Sequence, residues 1–302
     1  MVKILMPVYN GEKYLKEQLD SLIRQDFSDW HLTISDDGSD DSSKRIIEEY
    51  EAEHPERISI HESGKRFGDA KDHYLHLLEN CKAEYIMFCD QDDVWKKNKI
   101  SLTYKKMKEE EEKDKPCLIF TDLIPVDEDL KEISPSMMKL QDQDPYDPGF
   151  KKLVFRNVIT GNTVMINKPL RDLALKFKGS EGIIMHDWWL GIVAAGFGKI
   201  AYIDMATVLY RQHGHNQIGA KDTKSVSYIS GRLNDLDSVK ESVIKRKKQA
   251  GLFLETYADR LSDEDRAFLE GLSKERSGLP FYMHYSKYIH GLFRLMGMIV
   301  YG

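Results

Sequence analysis

A chain of 302 residues, 41% hydrophobic and 31% charged, is ordinary globular material able to bury a large core. Its formal net charge of −6 argues against a general nucleic-acid binder, and no run approaches the ~20 apolar residues that span a bilayer. Cys81, Cys89 and Cys117 are odd in number and lack metal-type or redox-type spacing, which points to reduced thiols in a cytoplasmic protein.

The elements alternate. Residues 2–6 are apolar and strand-like, which leaves no visible signal peptide, and Pro7 and Asn10-Gly11 break the strand. Tyr14, Leu15, Leu19, Leu22 and Ile23 recur at helical spacing and predict a helix over 12–25. A second strand, 32–35, ends in Asp36-Asp37-Gly38-Ser39, after which Ser42 or Ser43 can cap a helix carrying Ile46, Ile47 and Tyr50. A short strand at 58–61, a loop at 64–68 and a helix over 70–80 follow. Residues 85–89 form an apolar run of buried-strand length that ends in three carboxylates, Asp90, Asp92 and Asp93. A charged helix after Lys99 leads to a strand over 118–126, and 127–149 is a long polar loop, a candidate lid. Residues 151–156 and 169–177 read as helices and 163–166 as a strand. His186-Asp187-Trp188-Trp189 opens an apolar stretch, two closing strands cover 199–203 and 206–210, and Arg211 to Asn216 is rich in polar groups. From about residue 222 charged, helix-compatible sequence takes over, so the expected division is a main domain at 1–221 and a helical region at 222–302.

This alternation predicts an α/β fold, a mostly parallel sheet covered on both faces. Ligands in such sheets gather at the carboxyl ends of strands, where Pro7–Tyr9, Asp36-Asp37 and Asp90–Asp92 all fall. Asp90 and Asp92 share one side of an extended chain and repel each other unless a cation lies between them. Hard Mg²⁺ or Mn²⁺ suits such oxygens and binds substrate phosphates as well. The plain alternative is a solvated acidic turn.

The order Met6-Pro7-Val8-Tyr9-Asn10, Asp36-Asp37-Gly38-Ser39, Asp90-Gln91-Asp92-Asp93 and His186-Asp187-Trp188 resembles glycosyltransferase family 2, inverting nucleotide-sugar enzymes of the GT-A fold. Within it, residues 89–95 and 210–214 look most like bacterial rhamnosyltransferases, which build surface polysaccharides from dTDP-L-rhamnose. The resemblance implies that Pro7, Val8 and Tyr9 floor the base pocket and that Asp36 or Asp37 accepts from the pyrimidine N3–H or a ribose hydroxyl. Thymine and uracil share that N3–H, so a dTDP- and a UDP-sugar both fit. Lys71, Asp90 and Gln91 would complete the nucleotide side, with Lys65 and Arg66 near the phosphates. Asp92 and His213 would hold the metal and Arg211 the diphosphate; His215 and Asn216 are possible helpers. Asp187 would be the general base, and His186 and Trp188 would border the acceptor, His186 standing where the family usually has an acid. Gly161 and Asn162 would border the donor sugar.

A lipid-linked or glycan acceptor would make a peripheral contact at the inner face of the plasma membrane useful, and the basic, aromatic-rich end of the chain suits one; packing of those helices on the main domain or a second subunit competes with it. A haloacid-dehalogenase-type phosphatase, with Asp90 as nucleophile and Asp92 as acid, shares the Asp-x-Asp-x-Val pattern, but here about three strand units precede that strand.

Overall fold

A computed structural model describes residues 1–214, 236–274 and 277–302. The amino-terminal half runs β1 (Val2–Val8), α1 (Leu15–Ile23), β2 (Trp30–Asp36), α2 (Ser43–Glu53), β3 (Ile58–Ile60), α3 (Ala70–Asn80), β4 (Tyr85–Phe88), β5 (Val94–Trp95) and α4 (Lys99–Glu110). There follow β6 (Cys117–Val126), α5 (Met137–Leu140), α6 (Phe150–Phe155), β7 (Met165–Asn167), α7 (Lys168–Ala174), α8 (His186–Phe197) and β8 (Lys199–Arg211). The carboxyl-terminal part is α9 (Leu236–Tyr257), α10 (Asp263–Ser273), α11 (Leu279–His284) and α12 (Leu292–Tyr301). The expected boundary at 221/222 lies outside the described residues.

The eight strands form one mixed sheet in the order β3-β2-β1-β4-β7-β6-β8-β5. The β3-β2-β1-β4 half is parallel, as the alternation of strand and helix requires, and β6 and β8 are parallel too. β7 enters antiparallel between β4 and β6, and β5 pairs antiparallel with β8. Strand register fixes the chemistry: Val8 lies opposite Asp36, and Leu5 opposite Phe88, so the segments after β1, β2 and β4 leave the sheet side by side.

Local differences from expectation have local causes. Ser42 occupies the cap of α2 without a side-chain capping bond, while Ser43 Oγ accepts from Gly11 N at 2.8 Å and closes the first loop. The two strands expected at 199–203 and 206–210 are one strand, β8, whose register against β6 shifts between Thr121 and Asp122. β5 is two residues long, too short for any periodicity to show. The loop after β6 contains the short helix α5, capped by Ser136.

Two apolar clusters flank the sheet. One, around Ile4, Leu19, Leu32 and Ile119, lies under α1, α2 and α4. The other joins Phe88, Phe120, Leu190 and Val193 to Val243, Phe253, Tyr257 and Phe268 of the carboxyl-terminal helices. Phe253 packs edge-on against Trp189 at 5.6 Å and stacks on Phe197 at 5.7 Å. The terminal helices are therefore one side of the main core. Phe253→Ala should destabilise the whole protein by about 3–5 kcal/mol, read as a lower urea midpoint in a single transition. A separate early transition confined to the helices would contradict that view.

Candidate active site

Crowded carboxylates organise the end of β4, and each has a different partner. Asp90 Oδ1 accepts from Tyr74 Oη at 2.7 Å, and the same hydroxyl reaches Cys89 O at 2.8 Å. Burial, and next the charge of Asp92, push the Asp90 carboxyl up to about 6. Asp92 Oδ2 is 2.8 Å from His213 Nε2. Asp93 is fully buried, accepts from Arg211 N at 3.0 Å and from Asn162 Nδ2, and is pushed well above the usual carboxylate range, chiefly by burial.

Asp187 faces this group from the first turn of α8, where the helix dipole favours an anion. Burial raises its carboxyl to about 7, against hydrogen bonds from Trp188 N, Gly161 N and Asn157 Nδ2, and Asp90 adds to the rise. The buried phenol of Tyr210 is raised first by burial and then by Asp93, Asp90, Asp92 and Asp187 in turn, so all four acids act on one ring. Geometrically, the adjacent residues Gly161 and Asn162 lie against Asp187 and Asp93 respectively, which places Asp187 beside the acidic segment.

The nucleotide-side residues form an adjoining shelf. Gln91 clamps the backbone of Tyr9 at two points: Tyr9 N donates to Oε1 at 2.8 Å and Nε2 donates to Tyr9 O at 2.9 Å. Gly11 is needed beside it, because a Cβ there would lie 2.8 Å from Gln91 Oε1. Pro7 and Val8 end β1, and Val8 O accepts from Asp37 N at 2.8 Å. Asp36 accepts from Gly38 N and Ser39 N and shapes its own turn. Asp37 accepts from Phe67 N at 2.6 Å and Gly68 N at 2.8 Å, tying the 61–69 loop to the shelf. The Arg66 guanidinium lies 4.7 Å from the centre of the Tyr9 ring. Lys71, in the first turn of α3, contacts Asp72 at 3.2 Å and Ser180 O at 3.4 Å.

Three expectations change. Arg211, expected as a diphosphate clamp, is only 2% exposed; its guanidinium donates to Asp92 O, Glu128 O and Glu17 and lies 4.3 Å from the centre of the Tyr14 ring. Those bonds commit it to bracing the acidic loop. His186, expected at the acceptor, is buried against Tyr74 and Phe88, with ring centroids 4.1 and 5.0 Å away, and burial lowers its imidazole to about 3. Burial favours its neutral form, and neither ring nitrogen has a hydrogen-bond partner among the described residues. Asn162 reaches Asp93, and Gly161 N reaches Asp187, so that turn links acid cluster and base. Trp188 keeps an exposed edge while its indole N–H donates to Leu153 O at 2.6 Å. Trp189 is core. His215 and Asn216 lie outside the described residues.

Tyr74, Asn157, Glu17 and Glu128 escape sequence reasoning. Each is an ordinary residue on its own element, and only the fold reveals its partner. A depression of about 500 Å³ bordered by Glu84, Asp114, Pro116 and Lys168 lies at the opposite ends of β4 and β6 and holds none of the predicted residues.

As a metal site, Asp92 and His213 supply one oxygen and one nitrogen donor, chemistry that fits Mn²⁺ or Mg²⁺. Among the described residues no group of three His, Cys, Asp or Glu could hold an ion.

Residues 3–116 match the family described as glycosyl transferase family 2. The dTDP-rhamnosyl transferase RfbG of Shigella flexneri is 32% identical over 237 residues, 74% of this chain and 76% of that protein. The putative teichuronic acid biosynthesis glycosyltransferase TuaG of Bacillus subtilis is 32% identical over 100 residues, 33% of this chain and 39% of its own. S. aureus TarS 1-349 in complex with UDP-GlcNAc is structurally similar, with a TM-score of 0.56 at 14% identity over 99% of this chain and 90% of that one. The mannosyltransferase PcManGT from Pyrobaculum calidifontis, in complex with GDP-Man and Mn²⁺, gives 0.52 at 13% identity, covering 99% and 86%. These structural likenesses show a shared GT-A fold. Together with the sequence match to the rhamnosyl transferase, they lead to one conclusion: the chain belongs to glycosyl transferase family 2 and is a glycosyltransferase.

Proposed function

We propose that this glycosyltransferase moves L-rhamnose, with inversion, from dTDP-L-rhamnose to a growing surface glycan carried on a lipid at the inner face of the plasma membrane. The observation that carries the reading is the Gly161–Asn162 turn, which sets Asp187 beside the Asp90–Asp93 segment, itself tied through Gln91 to the Tyr9 shelf. The similarity to the Shigella enzyme supports the sugar and the nucleotide. A UDP-sugar is the second reading, since the TarS neighbour was solved with UDP-GlcNAc and uracil presents the same N3–H as thymine.

In this proposal the base rests on Pro7, Val8 and Tyr9, with Asp36 and Asp37 shaping the pocket and Asp37 holding its loop. Lys71, Asp90 and Gln91 line the nucleotide side. Asp92 and His213 hold Mn²⁺ or Mg²⁺, which when bound neutralises charge on the departing diphosphate. Arg211 keeps the acidic loop in place. Asp187, as carboxylate, takes the proton from the acceptor hydroxyl while that oxygen bonds to the anomeric carbon and the bond from that carbon to phosphate breaks. Trp188 offers its exposed edge to the acceptor.

Melting curves with dTDP-L-rhamnose and UDP-hexoses, each with and without Mn²⁺, test the donor: a binder of the folded state raises the midpoint. The rhamnose donor should give the larger shift, and a larger shift with a UDP-hexose would reassign it. Asp92→Ala should abolish the Mn²⁺-dependent part of that shift. Persistence of the full shift would remove the metal role.

Asp187→Asn should retain donor binding and lose roughly 10²–10⁴-fold in turnover; near-wild-type turnover would mean another base. Because the wild-type base titrates near 7, kcat/KM should fall about tenfold per pH unit below that point. The same group gives a stability signature. Its folded value lies above the unfolded one, so the native state holds a proton that the unfolded chain releases between about pH 4 and 7. Its contribution to stability is present below pH 4 and lost as pH rises through 7. Asp187→Asn should accordingly be more stable than wild type by a margin that widens as pH rises from about 4 to 7, reaches about 4 kcal/mol, and stays constant above that. A margin independent of pH would contradict a buried, titrating Asp187.

A further inference from the structure

Exposed apolar side chains are unevenly placed on this protein. Among the described residues, six of the eleven large ones lie in 236–302, less than a quarter of the chain. Their spacing is regular. Met296 and Val300 are four apart on α12, 52% and 66% exposed, and Leu279 and Met283 are four apart on α11, 54% and 56% exposed. On α12 the intervening Met298 is fully buried and Gly297 packs beside Val239 of α9, so Met296 and Val300 occupy the face turned away from the core. A packed helix needs only its inner face to be apolar. Here the outer faces are apolar as well.

Charge selects what covers them. Residues 277–302 contain no aspartate or glutamate, in a chain where acids outnumber bases 50 to 44. On α9 the exposed positions Lys240, Ile244 and Lys248 follow one another at intervals of four, so lysines alternate with an apolar side chain along one stripe. Lys287 is exposed just beyond α11. Long lysine stems can lie along an apolar boundary with the ammonium at the level of anionic headgroups. No described helix is long and apolar enough to cross a bilayer, so this arrangement lies on a surface.

We propose that the outer faces of α9, α11 and α12 form a docking surface for an anionic lipid bilayer, with Leu279, Met283, Met296 and Val300 entering the headgroup boundary and Lys240, Lys248 and Lys287 meeting lipid phosphates. The inference rests on the reading of a lipid-linked acceptor: it supplies the means by which an enzyme with a water-soluble donor stays beside an insoluble acceptor. The same helices share the Phe253 core with α8, so docking would hold the helix that carries Asp187 at a fixed height above the lipid.

Sedimentation of the full chain with vesicles of phosphatidylglycerol and phosphatidylcholine tests the surface. Wild type should co-sediment with the mixed vesicles, less so at high salt, and weakly with phosphatidylcholine alone. Met296→Glu/Val300→Glu, and separately Lys240→Glu/Lys248→Glu, should weaken vesicle binding by roughly tenfold or more. The second pair removes no apolar side chain and guards against a folding defect in the first. Both should keep the wild-type thermal shift with donor and Mn²⁺. Wild type that stays in solution, or charge-reversed variants that bind as tightly as wild type, would overturn the proposal. So would a concentration-dependent dimer abolished by the same substitutions, which would assign the surface to a second copy. Failed vesicle binding with intact donor shifts would leave the transferase reading standing; failed donor shifts with intact vesicle binding would do the reverse.

Discussion

Three carboxylates within four residues, at the end of a strand buried in a sheet, are the constraint around which the site is built. Left alone, Asp90, Asp92 and Asp93 would repel one another in surroundings that screen charge poorly. The fold separates their needs. Tyr74 donates to the first from α3, His213 meets the second from beyond β8, and Asn162 and the backbone of Arg211 serve the third. Each partner comes from a different element, so the acidic loop takes shape only when the sheet and its helices are in place. Arg211 completes the brace by joining Asp92 O, Glu128 O and Glu17 around the outside of the loop.

One short turn joins Asp187 to the acidic loop. The Gly161–Thr163 turn leads into β7, the strand inserted antiparallel beside β4. Its first residue donates to Asp187 and its second to Asp93. A Cβ on Gly161 would come within 2.7 Å of His186 Nε2, so the turn can approach α8 this closely only with glycine there. Burial favours the neutral form of His186, which fills space between Tyr74 and Phe88 beside this contact.

Much of this was legible in the residue order, for physical reasons. Continuous apolar runs marked β1 and β4, which are buried on both faces, and helical spacing marked α1 and α3. The acidic triplet stood out at the end of an apolar run, and Asp187 was singled out through the family resemblance of His186-Asp187-Trp188. What the order of residues could not convey was the use of each polar group. Arg211 looked like a ligand for phosphate, since nothing local shows that Glu17, 194 positions away, already holds it. Gln91 was expected on the nucleotide side, but its two bonds to Tyr9 cross 82 positions and nothing local shows them. β7 was recognisable as apolar, but its antiparallel direction depends on the crossovers around it and on no residue of its own.

The Gln91 side chain has a mechanical consequence. One planar amide joins the tip of β1 to the loop after β4 by a donor and an acceptor at once, with the geometry of a single rung of β-ladder. Tyr9 and the Gln91 loop are therefore held to one another, although 82 positions separate them in the chain. A substitution that removes the Gln91 amide would free both segments at once, because one side chain supplies both bonds.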